Sequence, residues 1–165
     1  LDPSIKKTAV VVKPSIKQIR QIEAAGFDYI QIHGMIDPAL FSQIRLPVLK
    51  AFNVKDMDTI ADYRLDKNVA GYVFDAHEPG SGKSFDWSML SDIPRDNKLF
   101  FLAGGISADN VKEAIKKLSP DGIDVSTGVE YNASNKTGKD PQKIEEFVRI
   151  IRTEQKTYNR FSFYK

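Results

Sequence analysis

The chain has 165 residues, 41% hydrophobic and 28% charged, with a formal net charge of +2 and no cysteine. That composition supports a globular domain with a real core, while the near-balanced charge gives no argument for nucleic acid or an anionic membrane, and disulfides, thiolate metal sites and a cysteine nucleophile are excluded. No apolar run reaches the roughly 20 residues that span a bilayer, and "LDPSIKKTAV" does not read as a signal peptide, so the cytoplasm is the expected location.

"TAVVVK" from Thr8 to Lys13 is continuous and β-branched, as in a strand buried on both faces. Pro14 and Ser15 open a helix on which Ile16, Ile19 and Ile22 recur at helical spacing, with Gly26 as the stop. "FDYIQIHG" reads as the next strand and "DPALFSQI" as a short helix. "LPVLKAFNV" predicts a strand, "KDMDTIADYR" a helix and "VAGYVFDA" a strand. After a glycine-rich loop, "WSML" predicts a helical turn and "KLFFLAGG" a strand. "SADNVKEAIKKL" predicts a helix with Ser107 as N-cap. "GIDVSTGVE" reads as a strand, and "DPQKIEEFVRIIRTEQ" as the closing helix.

Six strand–helix units without a hairpin signal imply parallel strands joined by crossover helices, in one domain over residues 1–165. A doubly wound open sheet and a (β/α)-barrel both satisfy this pattern. Polar and glycine-rich residues gather after strand C-termini, at His33-Gly34, Asp75, Gly104-Gly105 and Ser126-Thr127-Gly128. Both folds place their sites there, so the clustering does not choose between them.

In "YVFDAHEPGSGKSFDW" the loop after Asp75 invites comparison with a P-loop. That motif needs a glycine five residues before the Gly-Lys pair, and His77 stands there ahead of Gly82-Lys83-Ser84. A lid whose lysine meets an anion fits better than a triphosphate cradle, beside the plainer reading of a surface loop. "LAGGIS" and "DVSTGVE" end successive strands, and their turns can offer backbone N–H groups to a phosphate. Asp75 ends an apolar strand, where a carboxylate is either a general acid or a loop cap. Asp124 can orient loops or touch substrate, and His33 can serve acid–base, hydrogen-bonding or supporting roles. Two histidines without a partner pattern give no metal site.

In this order "DYIQIHG", "VLKAFNV", "FDAHEPGSGKSFDW", "LAGGISADNVKEAI" and "IDVSTGVE" followed by "GKDPQKI" resemble phosphoribosylanthranilate isomerase of tryptophan biosynthesis. "AGG" is shared by many phosphate-binding barrels, whereas "SGKSFDW" with "DVSTGVE" and "QIHG" is specific. The resemblance, from about Thr8 to Arg152, implies an α/β fold of the (β/α)8 TIM-barrel family, with six βα units in this chain. It implies a cofactor-free Amadori rearrangement of a small sugar phosphate, N-(5-phosphoribosyl)anthranilate, to 1-(2-carboxyphenylamino)-1-deoxyribulose 5-phosphate. Asp75 takes the place of the general acid. Gly104, Gly105, Ser126, Thr127 and Gly128 take the phosphate positions, His33 and Asp124 line the pocket, and Lys83 lies on the loop over substrate.

Two features depart from the family's pattern. Its base cysteine within a "KICG" block, and the arginine that meets the anthranilate carboxylate, have no counterpart, because "LDPSIKKTAVVV" resembles the approach to the family's third strand. Two βα units are then expected to be missing in front, which implies a chain with little or no isomerase activity of its own. Such a chain should dimerise, aggregate or recruit a complementing N-terminal segment. The alternative is a non-catalytic sugar-phosphate-binding half-barrel. A third reading, the related histidine-pathway isomerase, requires a second phosphate loop that the sequence does not offer. "TYNRFSFYK" at the C-terminus reads as a poorly ordered tail.

Overall fold

The structure, a computed structural model, describes residues 2, 4–75, 87–93, 95–132 and 136–158. Its six strands, β1 (Thr8–Val12), β2 (Tyr29–His33), β3 (Val48–Asn53), β4 (Val69–Asp75), β5 (Leu99–Leu102) and β6 (Gly122–Ile123), lie in the sheet in chain order. The β1–β2, β2–β3 and β5–β6 ladders are parallel, as strand–helix alternation predicts. The chain divides into two compact units, one of Leu1–Phe74 with Asn97–Phe100 and one of Asp75–Asp96 with Phe101–Lys165.

In the first unit, helix α1 (Ile16–Ala24) follows β1 and begins with a capping box. The Ser15 hydroxyl accepts from the Gln18 N–H, and the Gln18 side chain accepts from the Ser15 N–H. Ile19 is the residue this helix buries completely. Helix α2 (Pro38–Phe41) starts on Asp37, whose carboxylate accepts from the Ala39 N–H at 2.7 Å. The segment expected as one helix after β3 divides into a 3-10 turn at Val54–Thr59 and a short α3 (Ile60–Arg64). Apolar residues three apart suit both geometries, and Asn53 gives no side-chain cap to commit the first turn to an α-helix.

An aromatic chain fills this core. Phe41 meets Tyr63 edge-on at 5.6 Å, Phe52 lies 5.7 Å from Tyr63 and 6.0 Å from Phe74, and Phe74 lies 4.7 Å from Phe100. Lys50 is buried within it, its ammonium 4.5 Å from the Phe52 ring centre and 2.7 Å from the Ala51 carbonyl. Burial pushes the Lys50 pKa down to about 8, partly opposed by the charge of Asp56. On β1, by contrast, Val10 and Val12 are 61% and 70% exposed. They pair in register with Gln31 and His33, so they share those residues' face of the sheet.

In the second unit, helix α4 (Val111–Leu118) buries Val111, Ala114, Ile115 and Leu118. Ser107, expected as its N-cap, stands one turn earlier. Its carbonyl accepts from the Val111 N–H at 3.0 Å, and its hydroxyl accepts from the Asp109 N–H at 3.3 Å. Strand β6 is only two residues long, shorter than the run "GIDVSTGVE" suggested. The Asp124 N–H still reaches the Leu102 carbonyl at 2.8 Å, but Ser126 (φ −122°, ψ −81°) then turns the chain into a 3-10 turn at Thr127–Val129. Helix α5 (Pro141–Tyr158) closes the chain and buries Phe147 and Glu154, the latter paired with Lys112 at 2.9 Å.

Candidate active site

A cavity of about 200 Å³ in the second unit is lined by Asp75, Ala103, Gly104, Gly105, Ile106, Asp124, Ser126 and Thr127. Its walls are the end of β4, the loop after β5 and the loop after β6. Drug-sized ligands occupy roughly 300–1,000 Å³, so this volume suits a phosphate and the sugar atoms next to it.

Backbone conformation explains the glycine pair. Gly104 and Gly105 have φ of +77° and +63°, the left-handed region that a side chain disfavours. Turns of this kind can bring backbone N–H groups together around an anion. The turn is tied down by Asn110, whose amide nitrogen donates to the Gly105 carbonyl at 2.8 Å while its Oδ1 accepts from the Ser107 N–H at 2.9 Å. Gly128 answers a different demand. A Cβ there would lie 2.0 Å from the Ile106 carbonyl oxygen, so only glycine lets the loops after β5 and β6 close on each other.

Two carboxyl-bearing residues line the same space: Asp75 at the last position of β4, and Asp124 one residue beyond β6. Asp124 therefore stands outside the strand in which its sequence pattern placed it. The arrangement juxtaposes backbone donors, suited to a bound phosphate, with a carboxyl group able to exchange a proton with the remainder of a ligand.

His33 belongs to the first unit, at the end of β2, and its Nε2 lies 3.0 Å from the Gln31 amide nitrogen. The period-2 alternation in "YIQIH" puts both side chains on one face. Lys83 lies outside the described residues, as do the rest of its loop and the tail beyond Tyr158. Among the described residues no cluster of three or more His, Asp or Glu side chains is placed to hold a metal, and no helix is long and apolar enough to cross a membrane. Sequence reasoning missed the side chain that binds the β6 loop from behind. Lys139 donates to the Ser126 carbonyl and hydroxyl, both at 2.9 Å. Its contact with Ser126 spans 13 positions, and no local sequence pattern marks it.

Parallel strands in chain order, with a small cavity walled by the loops after β5 and β6, fit the (β/α)-barrel class of α/β protein. The family described as N-(5'-phosphoribosyl)anthranilate (PRA) isomerase matches residues 3–150. A curated relative, N-(5'-phosphoribosyl)anthranilate isomerase of Syntrophomonas wolfei, is 40% identical over 156 residues, covering 92% of this chain and 74% of the relative. The crystal structure of phosphoribosyl anthranilate isomerase from Thermotoga maritima superposes with a TM-score of 0.77 at 30% identity, over 93% of this chain and 76% of that one. Another solved structure of this enzyme, in complex with reduced 1-(o-carboxyphenylamino)-1-deoxyribulose 5-phosphate, gives a TM-score of 0.74 at 27% identity, over 93% of this chain and 74% of that one. The chain belongs to the N-(5'-phosphoribosyl)anthranilate isomerase family, isomerases of tryptophan biosynthesis with a TIM-barrel fold.

Proposed function

We propose that this chain carries the phosphate site and the general acid of an isomerase that converts N-(5-phosphoribosyl)anthranilate to 1-(2-carboxyphenylamino)-1-deoxyribulose 5-phosphate. The observation that carries the reading is the single cavity lined by Asp75, Gly104, Gly105, Ser126 and Thr127. Backbone groups of those glycines, Ser126, Thr127 and Gly128 hold the phosphate. Asp75, in its acid form, gives its proton to the ribose ring oxygen as the C1–O bond breaks, leaving an iminium. A base then takes the C2 proton, and the electron pair moves towards nitrogen to give the enamine that tautomerises to the ketone. Asp124 contacts the substrate from the cavity wall, and His33 and Lys83 take the substrate-binding roles that the resemblance implies. Proton transfers suffice for this chemistry, so no cofactor or metal enters.

The base is the incomplete part. The 165 residues contain no cysteine, the residue type that serves as base in the resemblance that the motifs carry. The face bearing His33 runs on to Val10 and Val12, which stand exposed on β1 at one end of the strand order. We read residues 1–165 as a single, incomplete barrel domain that works in the cytoplasm with a complementing N-terminal segment supplying further strands against β1. Little or no turnover is expected from this chain alone. Substrate consumption measured with and without the first two βα units of a family member tests this. Turnover only in the mixture or fusion supports the reading, whereas equal turnover by the chain alone contradicts it.

Absence of cysteine beside intact phosphate loops also favours a second reading, a half-barrel that binds sugar phosphates without turning them over. Tight binding of ribose 5-phosphate with no turnover even after complementation would favour it. Self-association through β1 is the other way to cover Val10 and Val12. Sedimentation of wild type against a Val10→Lys, Val12→Lys variant decides whether a homodimer uses that face, because a dimer built there dissociates in the variant.

A further inference from the structure

The loop after β6 carries Ser126 and Thr127 into the cavity, yet its own hydrogen bonds are sparse. Within the 3-10 turn, the Val129 N–H reaches the Ser126 carbonyl at 3.3 Å and the Glu130 N–H reaches the Thr127 carbonyl at 3.1 Å. The remaining ties come from the residues just before α5. Glu130 and Lys139 form an isolated antiparallel bridge. The Asp140 N–H donates to the Val129 carbonyl at 2.8 Å, and the Tyr131 N–H to the Gly138 carbonyl at 3.2 Å. One helical turn further on, Lys143 donates to the Glu130 carbonyl and to Asn132 Oδ1, both at 2.7 Å.

Lys139 sits at the centre of these ties. Its ammonium meets the Ser126 carbonyl at 2.9 Å, Ser126 Oγ at 2.9 Å and Glu130 Oε1 at 2.7 Å. An ammonium has three N–H bonds, and three acceptors take them all, so none remains for a ligand. Its neighbour Glu130 offsets its charge at contact distance. Lys139 is therefore not arranged as a direct phosphate ligand.

Its effect passes through Ser126. When Oγ accepts from an ammonium, the hydroxyl's own hydrogen is left to donate elsewhere, and Ser126 lines the cavity. In a trans peptide the C=O and the following N–H point in opposite directions. Holding the Ser126 carbonyl towards Lys139 thus turns the Thr127 N–H away from it, and Thr127 lines the cavity too.

We propose that Lys139 is a positioning residue that locks the Ser126–Thr127 peptide and the Ser126 hydroxyl as paired donors for the substrate's phosphate. The proposal rests on the reading of this cavity as the phosphate site.

Calorimetric titration of the 165-residue chain with inorganic phosphate tests it, using wild type, Lys139→Met, Ser126→Ala and the double variant. Lys139→Met should weaken phosphate binding about 10-fold, as expected for loss of charge-assisted hydrogen bonds that orient two donors. Ser126→Ala should cost about 5-fold in the wild-type background but under about 2-fold in the Lys139→Met background, because the hydroxyl is no longer aimed. A lysine acting only by its charge, or only through folding, would leave the Ser126→Ala cost the same in both backgrounds, and that result overturns the proposal. So does undiminished binding by Lys139→Met. If that variant does not fold, Lys139→Gln, which can donate to two of the three acceptors, should bind with intermediate affinity; wild-type affinity would overturn the proposal. Wild type that binds no phosphate would overturn the cavity's assignment itself, and the role of Lys139 with it.

Discussion

Gly128 faces the Ile106 carbonyl oxygen so closely that a methyl group in place of its hydrogen would lie 2.0 Å from that oxygen. The loops after β5 and β6 therefore meet backbone to backbone, and the cavity between Asp75 and Thr127 exists because they do. Gly128→Ala must push the two loops apart. Overpacking of this kind costs about 2 kcal/mol, which for a chain of this size lowers the thermal midpoint by about 6 °C. Phosphate affinity should fall by about 10-fold or more, since the donors on both loops move together. Calorimetric scanning and phosphate titration of the variant check both effects.

In the proposed reaction Asp75 alone donates the proton for ring opening. In a complemented, active form, Asp75→Asn keeps the shape and loses the proton. Its kcat should fall by about 100-fold, the low end for loss of a general acid, with KM changed far less. Near-normal kcat in that variant would remove Asp75 from the mechanism.

Lys50 makes stability depend on pH in a direction opposite to that of a surface lysine. Its pKa falls from 10.5 to about 8 on burial, despite the opposing charge of Asp56. Below pH 8 the folded and unfolded chains both hold the proton, and the desolvation cost is present in full. Between about 8 and 10.5 the unfolded chain binds more protons, so stability rises with pH by an amount that totals about 3 kcal/mol across the window. Lys50→Met, which keeps the length without the charge, should be the more stable protein at pH 7. Its advantage should shrink as pH approaches 10. Urea unfolding of both proteins across that range reads the difference, and a constant gap would mean that Lys50 keeps its proton throughout.

Much of the fold was legible because its strands are short, apolar and β-branched. "TAVVVK" became β1, and "YIQIH" became β2, although Gln31 is buried along with Ile30 and Ile32. Legibility failed where one spacing serves two geometries. Met57, Ile60 and Tyr63 recur every three residues, which a 3-10 turn satisfies as well as an α-helix, and the segment contains both. It failed again at "GIDVSTGVE", whose β-branched residues suit a strand although the chain turns at Ser126. Of the candidate site, the strand-end residues could be found by position, since Asp75, Gly104, Gly105, Ser126 and Thr127 all follow apolar runs. Lys139 could not, because its contact with Ser126 spans 13 positions and belongs to no local pattern.

The loops after β5 and β6 are proposed to hold the phosphate of a ribose phosphate. The most direct measurement is an amide-resolved NMR titration of the chain with ribose 5-phosphate, followed by displacement with inorganic phosphate. Saturable shifts are expected at Gly104, Gly105, Ser126, Thr127 and Gly128, and inorganic phosphate should reproduce them. Unmoved signals at those five residues under saturating ligand, or shifts confined to another part of the chain, would contradict that assignment.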